Sequence, residues 1–319
     1  MKYRRLGQAG IRLSEIGLGS WLTFGCGVDD QRAADCVRKA LDLGINFFDT
    51  ADAYNRGQAE EVYGRLLSQC RRRELVIATK CYFPMSDDVN DRGLSRKHVF
   101  ESVHDSLRRL QTDYIDLYQC HRFDPDVSVF EVVRAMDDLI RQGKILYWGV
   151  SEWPAVEIKN ACGIARQLGA CPPVSNQPEY SYAARRLETN GVLAACQQEG
   201  MGLVVFSPLK QGLLTGKYSG GRVPPDSRAA HERMNVCLRE IDAQVVERVD
   251  RLRQTAEREG VSLAQLALCW VLSRPGVTSA IIGATRPEQI EENVAAVDKS
   301  LSAETLARID ELFPAEVFR

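Results

Sequence analysis

Asn46-Phe47-Phe48-Asp49-Thr50-Ala51-Asp52-Ala53-Tyr54 holds the decisive pattern: an apolar run too brief for a helix, ending abruptly in polar residues. Nearly continuous apolar character is what a strand buried on both faces requires. The pattern recurs outward in both directions. The predicted strands are Glu15–Leu18, Asn46–Phe48, Leu75–Thr79, Tyr114–Gln119, Leu146–Val150, Val174–Gln177, Gly202–Phe206 and Ser279–Ile282. Between them lie helical patterns at Asp29–Leu43, Ala59–Gln69, Ser95–Leu110, Ser128–Gln142, Ala155–Leu168 and Arg186–Glu199. Val99, Val103, Leu107 and Leu110 share one helix face, and Ser95 and Ser128 sit where N-caps belong. Strand-then-helix alternation predicts a parallel sheet, and eight strands are the number that closes a barrel. An open doubly wound sheet competes, but Gly17-x-Gly19 is followed by Leu22 where its phosphate fingerprint needs a third glycine.

Two additions surround the repeat. Tyr3–Leu6 and Ile11–Leu13 flank a glycine-bearing turn and read as a hairpin plugging one barrel end. Roughly 70 residues separate the last two strands, against the usual ~30 of a βα unit. They hold a polar loop, Leu209–Arg233, and helical stretches at Leu238–Glu259 and Leu263–Ser273. The expected architecture is thus one α/β domain over residues 1–319: a (β/α)8 TIM barrel with an N-terminal hairpin, and extra helices and a long loop after strand seven.

Composition narrows the function. With 41 Lys+Arg against 43 Asp+Glu, no basic excess exists for a nucleic-acid partner. Ten cysteines without a Cys-x-x-Cys pair, and four histidines, give little support for a metal site. The absence of a signal-like start or a membrane-length apolar run predicts a cytoplasmic protein without a membrane segment. Gly212-Leu213-Leu214-Thr215-Gly216-Lys217 fails as a phosphate loop, having three intervening residues and then Tyr218. Arg71-Arg72-Arg73, at the opposite end from the strand termini, reads as a solvated cluster.

A barrel of this kind carries its chemistry where strands end. That rule selects Asp49 and Tyr54 after strand two, Lys80 after three, His121 after four, Ser151 after five, Asn176 and Gln177 after six, and Ser207 after seven. Taken singly, Asp49 could cap a helix, Lys80 could be solvated, His121 a satisfied polar residue and Tyr54 a loop aromatic. Independent strand assignments nevertheless bring all four to one face.

The residues also resemble a family. Asn46-Phe47-Phe48-Asp49-Thr50-Ala51-x-x-Tyr54, Thr79-Lys80, Asp113-Tyr114-Ile115-Asp116-Leu117-Tyr118-x-x-His121 and Ile281-Ile282-Gly283-Ala284-Thr285-x-Pro287-x-Gln289-x-x-x-Asn293 resemble aldo-keto reductases from about Tyr3 to the C-terminal helix. Gly19-Ser20-Trp21-Leu22-Thr23-Phe24-Gly25, Gly93-Leu94-Ser95-Arg96-Lys97-His98 and Tyr147-Trp148-Gly149-Val150-Ser151 are most like the branch of voltage-gated potassium channel β-subunits and bacterial reductases. Glu152 departs from it, since arginine often follows the serine there.

The resemblance implies an NADP-dependent reductase of aldehydes, with ketones as a further class. Tyr54 would be general acid, Lys80 and Asp49 the pair lowering its pKa, and His121 the donor orienting the carbonyl. It implies NADPH held by Ser20, Trp21, Asp49, Ser151, Gln177, Phe206, Ser207, Pro208, Leu209, Lys217, Arg228, Gly283, Thr285, Arg286, Gln289, Glu292 and Asn293. Trp21, Phe24, Tyr54, Phe83, His121 and Trp153 would line the substrate pocket. The competing readings are an NADP(H)-binding, redox-sensing regulatory subunit with little turnover, and a non-redox barrel such as an isomerase. A homo-oligomer or a partner protein stays open beside the small carbonyl substrate.

Overall fold

The eight predicted runs pair edge to edge. In the computed structural model, which describes residues 1–25, 28–225, 227–230 and 241–318, an antiparallel hairpin comes first, β1 (Tyr3–Arg5) with β2 (Arg12–Ser14). Then β3 (Ile16–Gly19), β4 (Phe47–Asp49), β5 (Val76–Cys81), β6 (Ile115–Cys120), β7 (Ile145–Ser151), β8 (Ser175–Gln177), β9 (Gly202–Val205) and β10 (Val277–Ile282) run parallel in chain order. β10 pairs back onto β3 and closes the barrel.

Strand alternation divides the buried residues into two cores. Side chains facing out from the barrel meet the helices in one large apolar cluster. Those facing in form a smaller one, where Phe47, Val76, Ala78, Leu117, Val204 and Ile281 pack with Leu6 and Leu13 of the hairpin. The hairpin therefore fills the N-terminal end of the barrel. Two residues further along the same inward rows stand Asp49, Lys80 and Gln119 (period 2 on a strand), so apolar floor becomes polar mouth. The interior is tight: a Cβ on Gly149 would lie 2.1 Å from the Ser175 hydroxyl.

The helices are α1 (Asp30–Asp42), α2 (Gln58–Leu67), α3 (Arg96–Leu110), α4 (Val129–Arg141), α5 (Ala155–Leu168), α6 (Arg186–Thr189), α7 (Val192–Gln198), α8 (Ala243–Arg251), α9 (Arg253–Arg258), α10 (Leu263–Leu272), α11 (Pro287–Val294) and α12 (Ala303–Leu312). Ser95 caps α3, accepting from the His98 amide at 3.2 Å. Ser128 occupies the N-cap of α4 without a side-chain bond.

Three expectations need correction. The stretch Arg186–Glu199 is two helices, α6 and α7, because Gly191 between them takes a left-handed φ of 83°. The stretch Leu238–Glu259 is broken at Leu252 into α8 and α9, and residues 238–240 lie outside the described residues. So do Asp226 and residues 231–233 of the expected loop Leu209–Arg233, whose described part forms short 3-10 turns at Lys210–Thr215, Ser219–Gly221 and Arg228–Ala230. Arg72 is also no solvated charge. It reaches Asp116 at 2.6 Å and the Tyr114 carbonyl at 2.8 Å, with its guanidinium 3.9 Å over the Tyr114 ring, and so braces the floor between strands. Among the described residues no helix is long and apolar enough to cross a membrane.

Candidate active site

Lys80, at the inward-facing end of β5, is fully buried. Its ammonium donates to Asp49 Oδ2 at 2.7 Å, to the Thr50 carbonyl at 2.6 Å and to the Tyr54 hydroxyl at 3.3 Å. A lysine uses three donors, and all three are taken. Asp49 is held from its other oxygen by Gln177 Nε2 at 2.8 Å. Half-buried Tyr54 stands with its ring 5.6 Å from that of His121, edge to face, and 6.5 Å from that of Trp21. Phe83 meets the other side of His121 at 4.8 Å.

Electrostatics follows from burial and these contacts. Burial works against the Lys80 ammonium, but Asp49 and Tyr54 outweigh it and its pKa lies above the usual lysine value. His121 is held well below the usual histidine value by burial and by the cations Lys80 and Arg122, so it is a neutral imidazole. Tyr54 corrects the expectation of a lowered pKa. Burial raises its phenol above the usual tyrosine value, Asp49 adds to that, and Lys80 only partly offsets them. The group is consequently a firmly protonated acid in the free protein.

Beneath Tyr54 lies a second layer that sequence reading missed. The Asp52 carboxyl group accepts from the Ala53 amide at 2.6 Å and Ser102 Oγ at 2.8 Å, and its own amide donates to the Lys80 carbonyl at 3.2 Å. Glu60, also fully buried, accepts from Thr79 Oγ1 at 2.5 Å and Arg109 Nε at 2.6 Å. Burial and the nearby Glu60 push the Asp52 carboxyl up to about 8. Gln119, beside Lys80 in the register of β5 and β6, has both amide ends buried without a partner. Counting back two residues from His121 along the strand would have found it.

The residues expected around a nicotinamide cofactor fall into two groups along the mouth. Ser151 and Gln177 are register neighbours on β7 and β8, with Ser151 Oγ donating to the Gln177 carbonyl at 2.9 Å. Ser20 is buried and spends its hydroxyl on Thr50 at 2.8 Å. Phe206, Ser207, Pro208 and Leu209 follow β9, and Ser207 carries a left-handed φ of 52°. On the rim, Arg228 lies 5.6 Å over the Trp21 ring, and a Cβ on Gly283 would come within 3.7 Å of its Nη2. Exposed Lys217 lies 5.3 Å from the Tyr218 ring, and Tyr218 accepts from the Ala229 amide at 3.4 Å. Two cations thus share one rim. Gln289 accepts from the Thr285 amide at 2.8 Å at the start of α11, where Arg286 is the N-cap residue. Glu292 accepts from Ser262 at 2.7 Å, and Asn293 is buried. Hydroxyl and amide donors beside the Lys80–Tyr54 pair, with cations at the rim, fit a dinucleotide that is neutral at one end and phosphorylated at the other.

Two expected pocket residues lie elsewhere. Phe24 is 1% exposed and packs edge-on against Tyr63 at 5.4 Å, within the outer core. Trp153 is as deeply buried, against Phe123 at 5.2 Å. Both are packing positions, whereas Trp21 and Phe83 flank the Tyr54–His121 pair. Glu152 accepts from the Glu179 amide at 2.6 Å, and Lys210 reaches Glu179 at 2.8 Å, so it ties together the loops after β7, β8 and β9.

Comparison with known proteins bears on this geometry. The model of the Aldo/keto reductase family matches residues 15–313. A "Probable voltage-gated potassium channel subunit beta" of Arabidopsis thaliana is 42% identical over 301 residues, 93% of this chain and 92% of that protein. A protein of the same printed name from Oryza sativa subsp. japonica matches at the same identity and coverage. A Schizosaccharomyces pombe protein with the corresponding subunit-beta name is 42% identical over 319 residues, 97% of this chain and 92% of that protein.

Proposed function

The chain belongs to the aldo/keto reductase family, and from that premise we propose that it reduces aldehydes, and ketones as a further class, to alcohols with NADPH. The observation that carries this reading is the Lys80 ammonium placed between Asp49 at 2.7 Å and the Tyr54 hydroxyl at 3.3 Å. Bound NADPH would supply a hydride to the carbonyl carbon. Tyr54 gives its phenolic proton to the carbonyl oxygen as negative charge develops there, and Lys80 stabilises the phenolate left behind. Asp49 holds the ammonium charged and in place. Neutral His121 donates to the same oxygen and so orients the carbonyl. Ser151 and Gln177 suit the nicotinamide carboxamide, and Lys217, Arg228 and Arg286 the phosphates, which favours NADPH over NADH.

The relatives' printed names, as subunits of a channel, favour association with a partner protein, and the second reading is that the same cofactor site serves such a partner as a redox sensor with little turnover. NADPH consumption with aliphatic, aromatic and dicarbonyl aldehydes, beside NADH and Tyr54→Phe controls, separates the two. Turnover that collapses in the variant supports the reductase. Tight NADPH binding without turnover favours the sensor, and absence of both overturns the proposal.

A further inference from the structure

His121 is followed by a residue whose charge is answered by no ion pair among the described residues. Arg122 is half-buried, and its Nη1 donates to the His121 carbonyl at 2.5 Å and to Ser151 Oγ at 3.3 Å. Its guanidinium lies 5.6 Å from the Phe83 ring, which itself stands against His121. A guanidinium has five N–H donors, and the hydrogen bonds seen here are both through Nη1. Asp49, Glu152, Glu179 and Asp124 each have other partners. Asp49 holds Lys80 and Gln177. Glu152 holds the Glu179 amide, and Glu179 holds Lys210. Asp124, two residues on, accepts from the amides of Leu94 and Asp126. Arg122 makes no ion pair among the described residues.

A partly desolvated cation without a counter-ion is costly. A guanidinium edge is also the group best shaped to take a carboxylate with two parallel bonds. We propose that Arg122 is the specificity determinant of the reductase site and selects aldehydes that carry a carboxylate, binding that group while Phe83 packs on the substrate's ring or chain. This rests on the reductase reading above and adds the substrate class to it. Arg122 touches neither the reacting carbon nor the Tyr54 proton in this arrangement, so its effect falls on substrate binding.

The test compares 4-carboxybenzaldehyde with its methyl ester, methyl 4-formylbenzoate, under saturating NADPH in the full chain, Arg122→Gln and Arg122→Lys. The wild type is expected to favour the acid in kcat/KM by about tenfold or more, the size of one charge-assisted hydrogen bond. The glutamine variant should lose that ratio through KM, and the lysine variant should keep part of it. Raising salt should lower the wild-type ratio by screening. This last measurement, with the lysine variant, decides the matter if the glutamine variant does not fold. A wild-type ratio near one, a ratio insensitive to salt, or a ratio that survives in Arg122→Gln overturns the assignment while leaving the reductase intact. Failure of the wild type to reduce either aldehyde overturns the assignment too, and overturns the reductase reading only when no other aldehyde of the panel above is turned over.

Discussion

Gln177 donates its side-chain amide to Asp49 across the mouth of the barrel, 2.8 Å away in space and 128 residues away in the chain. Lys80 takes the other carboxylate oxygen. The acid that steadies the lysine is therefore itself steadied by a third strand, and the pair has no freedom to drift from Tyr54.

Removing one member of this buried pair strands the other. Lys80→Met is expected to destabilise the protein by about 3–5 kcal/mol, since Asp49 would be left buried without its ion-pair partner. The double variant Lys80→Met/Asp49→Asn should cost clearly less than the two single changes summed. Urea unfolding of the four proteins checks the cycle; additive losses would contradict a coupled pair.

Tyr54→Phe deletes the hydroxyl that carries the proton and accepts from Lys80 at 3.3 Å, while the ring keeps its neighbours Trp21 and His121. The expected loss in kcat is about 100- to 10,000-fold, with NADPH affinity close to that of the wild type. Fluorescence titration alongside single-turnover kinetics distinguishes lost chemistry from lost binding.

His121 is neutral far into the acid range, and Tyr54 keeps its proton beyond the usual tyrosine value. The pH profile of kcat/KM should then show no His121 limb at about 6.5 and no Tyr54 limb below about 10. An ordinary histidine limb that vanishes in His121→Asn would contradict the neutral imidazole.

Asp52 has its pKa raised to about 8 by burial and by Glu60. Between the unfolded carboxylate value near 4 and about 8, the folded chain holds a proton that the unfolded chain has released. The stabilisation is therefore complete at acid pH and is lost as pH rises through that window. Asp52→Asn cannot ionise, so its stability relative to the wild type should climb from about pH 4 to about pH 8, by about 1.4 kcal/mol for each pH unit of that window. Parallel stability curves for the two proteins would show that Asp52 does not carry this proton.

Gly149→Ala would place a methyl 2.1 Å from Ser175 Oγ and 2.9 Å from its carbonyl. Forcing β7 from β8 should cost about 1–3 kcal/mol or more, and should shift Ser151 and Gln177 together because they are register neighbours. Thermal unfolding and NADPH titration of the variant measure both effects.

The barrel was legible because most of its strands are short runs that are apolar on both faces before their polar ends, a signal that needs no tertiary knowledge; β8, Ser175–Gln177, is the polar exception. Strand ends then located Asp49, Lys80 and His121 without any contact information. Aromatic residues were harder: Phe24 and Trp153 pack inward while Trp21 and Phe83 face the mouth, and side-chain type is silent on that choice. The helix break at Gly191 was written in the sequence but outweighed by the apolar periodicity on either side. Asp52, Glu60 and the direction of the Tyr54 shift depend on desolvation, which exists only once neighbours close around a group. Arg122 went unnoticed because its meaning lies in the acids around it being spoken for.

Leu6 and Leu13, both fully buried, stop up the barrel on the side away from Tyr54. That end is closed by packed side chains, so the buried ionisable groups Asp49 and Lys80 stand only at the opposite end, and the hairpin sets the polarity of the barrel although none of its atoms comes near Tyr54.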